Sequence, residues 1–146
     1  MTPRPAADVA QIEQIVDTFF AAFVSGPEST ARLDALRSLF IPEAVIVATC
    51  GQPPRVYDVD GFIAPRAELL TSGALEDFTE WKEAGRTDVF GDIAHWFGSY
   101  GKAGTHNGAD AGGRGMKSMQ LIRTPEGWRI SAAAWDDERE GLTIED

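Results

Sequence analysis

The stretch that decides the fold runs from Arg114 to Asp137 and reads RGMKSMQLIRTPEGWRISAAAWDD. Its pattern predicts two long strands joined by a turn at residues 124–127, Thr-Pro-Glu-Gly. Proline fixes one dihedral angle of such a turn and glycine accepts a positive φ, so this tetrapeptide is typical of a β-turn. The even-numbered loop places Leu121 opposite Ile130, and this pairing sets the register of the predicted hairpin.

The register also predicts which side chains share a face, because alternate residues of a strand point to opposite sides. One face has an unbroken apolar middle and is expected to cover the core: Lys117, Met119, Leu121, Arg123, Trp128, Ile130, Ala132 and Ala134. The other is small and mixed: Met116, Ser118, Gln120, Ile122, Arg129, Ser131, Ala133, Trp135 and Asp137. This second face is too apolar for a freely solvated surface, so we expect a homodimer that forms through the sheet.

The composition indicates one soluble globular domain covering residues 1–146, with a net charge of −10 and a pI of about 4.6. Nucleic acids and anionic membrane surfaces are bound by clustered Lys and Arg, so neither is an expected partner. No segment approaches the roughly 20 apolar residues of a membrane span, and the N-terminus lacks the apolar core of a signal peptide. We therefore expect a cytoplasmic protein, in which the single cysteine, Cys50, forms no intrachain disulfide.

Two helices are predicted at the start of the chain. Apolar residues recur at three- and four-residue steps over residues 9–23, with Asp8 as a plausible N-cap. Ser29 or Thr30 is expected to cap a second, shorter helix. It ends before Pro42, because a residue that precedes proline avoids the helical region.

A strand pair and a third helix follow. The apolar run at residues 44–49 and residues 55–58 are both of strand type. Asp60 can cap the third helix, but Pro65 removes a helical donor. We therefore expect a turn at residues 60–63 and regular helix only from residue 65 to about residue 70.

From residue 75 onward the apolar period changes from that of a helix to that of a strand. Residues 76–90 and 93–100 predict two long strands, with Gly85 marking a bulge in the first. Residues 101–113 are rich in glycine and small side chains and predict a mobile loop.

This order of three helices, a small strand pair and four long antiparallel strands resembles the nuclear-transport-factor-2-like superfamily. The resemblance is carried by the Phe-rich first helix, by LFIPEAVI at residues 39–46 and by GWRI at residues 127–130, which leads to Trp135. RTDVFGDIAHWFGSY at residues 86–100 looks like the third and fourth strands of the SnoaL-like, ketosteroid-isomerase-like branch.

The resemblance covers about residues 8–138 and implies an α+β, cystatin-like fold. In this fold three N-terminal helices pack on a curved, mostly antiparallel sheet and form a cone. Ketosteroid isomerases, SnoaL-type polyketide cyclases and scytalone dehydratase belong to the superfamily, and its members commonly pair through their sheets. A cone of this kind leaves a mostly apolar pocket with few polar groups, which is typical of a small-molecule site.

Three functions are therefore open. The first is a protein that binds a small apolar molecule in the cone. The second is a cofactor-independent isomerase, cyclase or dehydratase that uses histidine or carboxylate acid–base chemistry. The third is a dimeric interaction module that works through its sheet.

His95 is the candidate general base, because histidine has the side-chain pKa nearest neutrality. It shares a strand face with Ile93 and Phe97, so we expect it to point into the cone, with Asp60 as its catalytic companion; the alternative is a structural histidine. The expected ligand contacts are Phe20, Tyr57, Phe62, Trp81 and His95.

Glu80 and Glu83 predict a solvated or ion-paired strand, and the sharper alternative is a buried pair between one of them and Arg66 at the mouth of the cone. His95, His106 and Cys50 lack the spacing of metal ligands. We expect neither a metal nor a cofactor.

Overall fold

The computed structural model describes residues 6–145 and contains three helices and one sheet. The helices are α1 Ala6–Ala21, α2 Ser29–Arg37 and α3 Val59–Thr71. The strands are β1 Phe40–Ala48, β2 Arg55–Tyr57, β3 Leu75–Phe90, β4 Ile93–His106, β5 Ala109–Asp110, β6 Gly113–Thr124 and β7 Gly127–Asp137. The sheet order is β2-β1-β7-β6-β4-β3, with β5 paired to β4, and only the β1–β7 pair is parallel. The expected α+β class, with three helices packed on a mostly antiparallel sheet, is confirmed.

The first helix is tied to the sheet by the residue that was expected to cap it. Asp8 lies inside the first turn of α1 and is buried. Its carboxylate accepts hydrogen bonds from Arg123 at 2.9 and 3.0 Å and from Nε1 of Trp128 at 3.1 Å. The capping prediction for Asp8 is therefore wrong, because the hairpin offers the carboxylate stronger partners than the helix terminus does. The second helix also differs, since Glu28 occupies its N-cap position.

The third helix runs unbroken through Pro65, against expectation. Asp58, not Asp60, is its N-cap and accepts from the backbone N–H of Gly61 at 2.7 Å. An interior proline costs about 3 kcal/mol, whereas each large buried apolar side chain contributes about 1.5–3 kcal/mol. Pro65 lies on the exposed side of α3, and the opposite side buries Phe62, Ile63 and Leu70, so packing outweighs the missing hydrogen bond.

The hairpin of β6 and β7 has the predicted register at its turn end. Leu121 pairs with Ile130, and both are fully buried, which confirms that prediction. Beyond this pair Gln120 faces Ala132, so Ser131 is an extra residue in β7. A bulge of this kind reverses the side-chain alternation of the strand that carries it.

The bulge makes the predicted faces of the end of β7 wrong. Ala133 and Trp135 pack against the core, whereas Ala132 and Ala134 were expected there. The partner strand keeps its parity, and Lys117 and Met119 are buried as expected. Trp135 is thereby placed opposite Lys117 on the inner face.

The predicted loop after residue 100 is also strand. β4 continues to His106 and pairs along its whole length with β3, whose irregularities fall between Glu76 and Thr79 and at Glu83, not at Gly85. Gly85 instead allows the ring of Trp96 to pack against the backbone, because a Cβ atom there would lie 2.4 Å from that ring. Within residues 6–145 no helix combines the length and apolar character that are needed to cross a membrane.

Candidate binding site inside the cone

A lysine lies at the centre of the core, between the inner face of the sheet and α1. Lys117 is in the middle of β6, where strand alternation points it inward with Met119 and Leu121, and only 3% of its surface is exposed. Its ammonium is surrounded by five aromatic rings. The Nζ atom lies 4.5 to 5.7 Å from the ring centroids of Phe19, Tyr100, Trp135, Phe20 and Phe23.

Aromatic faces attract a cation but do not replace a hydrogen-bond acceptor. A desolvated cation–π contact contributes about 2 kcal/mol or more, whereas taking an ammonium ion out of water costs several kcal/mol. Within residues 6–145, Lys117 makes neither an ion pair nor a hydrogen bond through Nζ. Burial lowers its pKa from 10.5 to about 8, and the nearby Glu80 carboxylate partly opposes this shift.

Glu80 brings a carboxyl group to the same place from β3. The residue is half-buried, and its Oε1 atom is buried with no hydrogen-bond partner among the described residues. Burial raises the pKa of Glu80, while Lys117, Lys102 and Arg66 act to lower it. An unsatisfied buried polar atom costs about 1–3 kcal/mol and is rare in folded proteins.

Arg66 of α3 supplies a second cation beside the same aromatic cluster. Its guanidinium carbon lies 4.2 Å from the ring centroid of Phe62, 5.4 Å from that of Trp135 and 5.7 Å from that of Tyr57. Its Nη1 donates to the backbone carbonyl of Phe62 at 2.9 Å. Burial lowers the pKa of Arg66, and no carboxylate in the described part of the chain forms an ion pair with it.

A hydrogen-bonded group adjoins the site at the end of β7. Tyr100 donates from its hydroxyl to Oδ1 of Asp137 at 2.5 Å, and Lys102 donates to Oδ2 of the same carboxylate at 3.2 Å. The Cys50 thiol lies 3.5 Å from Oδ2. Burial and the Asp137 carboxylate raise the pKa of Tyr100 and of Cys50, so both side chains stay protonated at neutral pH.

The charges of this region do not balance. Lys102 and Asp137 form an ion pair. The remaining groups are two cations, Lys117 and Arg66, and one carboxyl group, Glu80, which pairs with neither of them. Buried charges are normally paired or hydrogen-bonded, so the interior has unused capacity to bind a polar group. We refer to Glu80, Lys117 and Arg66 together as the interior site.

The residues expected from sequence divide between the interior and the surface. Phe20 and Phe62 are buried beside the interior site, and Tyr57 is half-buried next to Arg66. Asp60 is exposed and forms an ion pair with Arg37 on α2. Trp81 is 42% exposed and lies outside the core.

His95 lies on the outer face of the sheet, so the prediction that it points into the cone is wrong. It is exposed and shares that face with Phe97, its ring 6.2 Å from the Phe97 ring. Its Nε2 atom is 2.8 Å from Oγ of Ser118. The inner face of β4 is formed instead by Ala94, Trp96 and Tyr100. The rings of Trp96 and Tyr100 pack against Phe20 and complete the core that α1 covers. The structure therefore does not bring His95 and Asp60 together.

The interior site could be found in part from sequence. Lys117 was assigned to the core face of the hairpin, and a charged residue at such a position is a functional signal. The alternative of a buried ion pair between Arg66 and one of Glu80 and Glu83 is wrong: Glu83 pairs with Arg114, and in the described residues Arg66 has no carboxylate partner. Asp137 could not be placed, since its direction depends on the bulge at Ser131. In the described chain no group of three or more His, Cys, Asp or Glu side chains is arranged to hold a metal ion.

Comparison with known proteins shows similarity in structure. No protein-family model and no curated protein matches the chain in sequence. A nuclear transport factor 2-like superfamily protein from Salmonella enterica serovar Typhimurium superposes with a TM-score of 0.75 at 14% identity, covering 97% of this chain and 98% of that one. A candidate dehydratase of the same family from Streptomyces avermitilis has a TM-score of 0.69 at 17% identity, over 92% and 99% of the two chains.

A third similar structure, from Xanthomonas campestris, is described as a candidate calcium/calmodulin-dependent protein kinase II association domain. It superposes with a TM-score of 0.68 at 17% identity, over 94% of each chain. The expected resemblance is confirmed for the fold: the chain has the three-helix, mixed-sheet architecture of nuclear transport factor 2-like proteins with a cystatin-like fold.

Proposed function

We propose that the chain binds a small molecule in the interior of the cone, at the interior site. The observation that carries this proposal is the buried Oε1 atom of Glu80, which lacks a hydrogen-bond partner in the described structure near an ammonium that lacks one too. A ligand that donates to Glu80 and accepts from Lys117 would satisfy both groups at once. The aromatic rings around Lys117 supply the apolar walls that the first of the three hypotheses requires.

We infer the direction of access from the exposure of the side chains. Lys117 is buried, whereas Arg66, Tyr57, Trp135 and Glu80 are each half-buried. These four residues form the side of the site nearest solvent.

Native mass spectrometry tests the proposal directly. The purified chain is expected to carry a bound small molecule, and Glu80→Gln and Lys117→Met are each expected to lose it. Glu76→Gln is the matched control, because Glu76 lies on the same strand but is exposed. Retention of the same adduct by both interior variants would contradict the proposed site.

A proton-transfer enzyme is the second candidate, and the same groups would carry it. A carboxyl group of raised pKa and an amine whose pKa is about 8 can give and take a proton near neutral pH. Glu80 and Lys117 would then take the roles first considered for Asp60 and His95. The candidate dehydratase among the similar structures fits this class of function. Deuterium incorporation into a carbon position of the bound molecule in heavy water would separate catalysis from binding alone.

We also propose that two copies of the chain pair through the outer face of the sheet. Ile93 is 52% exposed and Phe97 is 50% exposed on β4, beside Ser118, Gln120 and Ile122 of β6. Large apolar side chains with a polar surround are typical of an interface, and a two-fold dimer would cover the same face on both copies. The association domain among the similar structures fits this arrangement. Sedimentation at micromolar concentration is expected to give twice the chain mass of 15.8 kDa.

A further inference from the structure

The charges of the interior site carry information about the ligand's chemistry. Lys117 is buried and Arg66 is half-buried, and neither has an anionic partner in the described chain. Glu80 can balance one of the two cations when it is ionised and neither when it is protonated. The interior is therefore short of at least one negative charge, although the whole chain has a net charge of −10.

The two cations share one aromatic neighbour. Lys117 and Arg66 approach the same ring, with Nζ 4.9 Å and the guanidinium carbon 5.4 Å from the Trp135 centroid. Glu80 interacts electrostatically with both of them, which places its carboxyl group in the same neighbourhood. A guanidinium and an ammonium are the donors that hold carboxylates most firmly.

The third group of the site distinguishes among anions. When Glu80 is ionised, one of the two cations remains unbalanced, so a monoanion supplies the missing charge and a dianion such as a phosphate monoester exceeds it. The walls beyond the cations are the rings of Phe62, Trp135 and Tyr57, which suit an apolar body. A single negative charge on an apolar body is the best match to this combination.

We infer that the ligand of the interior site is a small monocarboxylate with an apolar body, its carboxylate group placed between Lys117 and Arg66. This inference rests on the proposed binding function and adds the chemical class of the ligand. With Glu80 ionised, the ligand's carboxylate completes the charge balance of the interior.

Matched acid–amide pairs test the inference. Acetate, propionate and benzoate are titrated into the chain at pH 7, and acetamide, propionamide and benzamide are titrated in parallel, with the shift in melting temperature and calorimetric affinity as readouts. At least one acid is expected to bind at least about ten-fold more tightly than its amide, because the amide lacks the charge that strengthens hydrogen bonds to cations.

The variants assign the effect to the site. Lys117→Met and Arg66→Met are each expected to weaken binding of that acid at least about ten-fold. Lys82→Met is the matched control, because Lys82 is on the sheet but pairs with Asp17 at the surface. Equal affinity of acids and amides, both lost in Lys117→Met, would overturn the carboxylate inference and leave the binding function standing. Failure of all six compounds to bind would also overturn it, and the co-purified molecule would then decide the binding function separately.

Discussion

At the scale of the residue, Lys117 is the side chain that stability alone does not explain. It is almost fully buried in a strand whose neighbouring inward positions are methionine and leucine. Replacing a buried ion pair by apolar side chains of similar volume is often neutral or stabilising, by about 1–4 kcal/mol, and in the described residues Lys117 lacks even a pairing partner. Five aromatic rings partly offset the free-energy cost of burying the ammonium. The lowered pKa of Lys117 nevertheless indicates that its charged form is disfavoured in the folded state.

Lys117→Met is therefore expected to raise the free energy of unfolding at pH 7 by about 1–4 kcal/mol. The sign of the pH dependence follows from the two pKa values of the lysine. Below pH 8 it is protonated in both states, and the full penalty applies. Between about pH 8 and 10.5 only the unfolded state keeps the proton, so wild-type stability gains relative to the variant as the pH rises. Chemical denaturation of both proteins from pH 7 to 10.5 measures this difference.

The matched control for this measurement is again Lys82→Met, for which no such gain is expected, because Lys82 is ion-paired near the surface. A Lys117→Met variant less stable than wild type at pH 7 would show that the aromatic contacts outweigh desolvation. In that case the lysine would be a structural group.

At the scale of the element, β7 carries two opposite requirements. Near the turn, Trp128 and Ile130 close the core, and at the far end Trp135 faces Lys117. An unbroken strand of this length would place Trp128 and Trp135 on opposite faces of the sheet, since seven positions separate them. The extra residue at Ser131 allows both tryptophans to face inward.

Ile130→Asp is expected to prevent folding. Ile130 is fully buried opposite Leu121, and an unpaired buried carboxylate costs several kcal/mol, comparable with a total domain stability of about 5–15 kcal/mol. The measurement is soluble expression followed by urea denaturation. Ile122→Asp, on the outer face of the same hairpin, is the control that should stay folded. A soluble, cooperatively unfolding Ile130→Asp protein would contradict the central position of this residue in the core.

At the scale of the whole molecule, the sheet has one face in the core and one face open. The inner face is closed by the three helices, and the outer face leaves Ile93 and Phe97 about half exposed. A second copy would bury these side chains without any change in the core. The proposed dimer and the proposed interior site are therefore independent of each other in space.

Phe97→Lys is expected to shift the sedimenting species from twice 15.8 kDa to the mass of one chain at the same micromolar concentration. The physical reason is that a lysine at an apolar interface centre must be desolvated or expose the partner's apolar surface. Val56→Lys is the control, because Val56 is 67% exposed on the edge strand β2, far along the sheet order from β4. A wild-type chain that sediments as one copy at this concentration would contradict the dimer.

Sequence alone determined the parts of this protein that depend on local pattern. The three helices, the long strands, the turn at residues 124–127 and the Leu121–Ile130 pairing follow from apolar period and turn chemistry. The core position of Lys117 also followed, because strand alternation is a property of the backbone. These features need no knowledge of distant contacts.

Tertiary structure decided the rest, because it depends on contacts between residues far apart in the chain. Packing against the sheet carries α3 through Pro65. The glycine-rich residues after Tyr100 form a strand because they pair with β3. The direction of His95 depends on which side chains of β4 complete the core. A strand with apolar residues on both faces does not reveal from its sequence which face is the inner one. The meeting of Glu80, Lys117 and Arg66 joins β3, β6 and α3, and only the folded chain brings these three elements to one place.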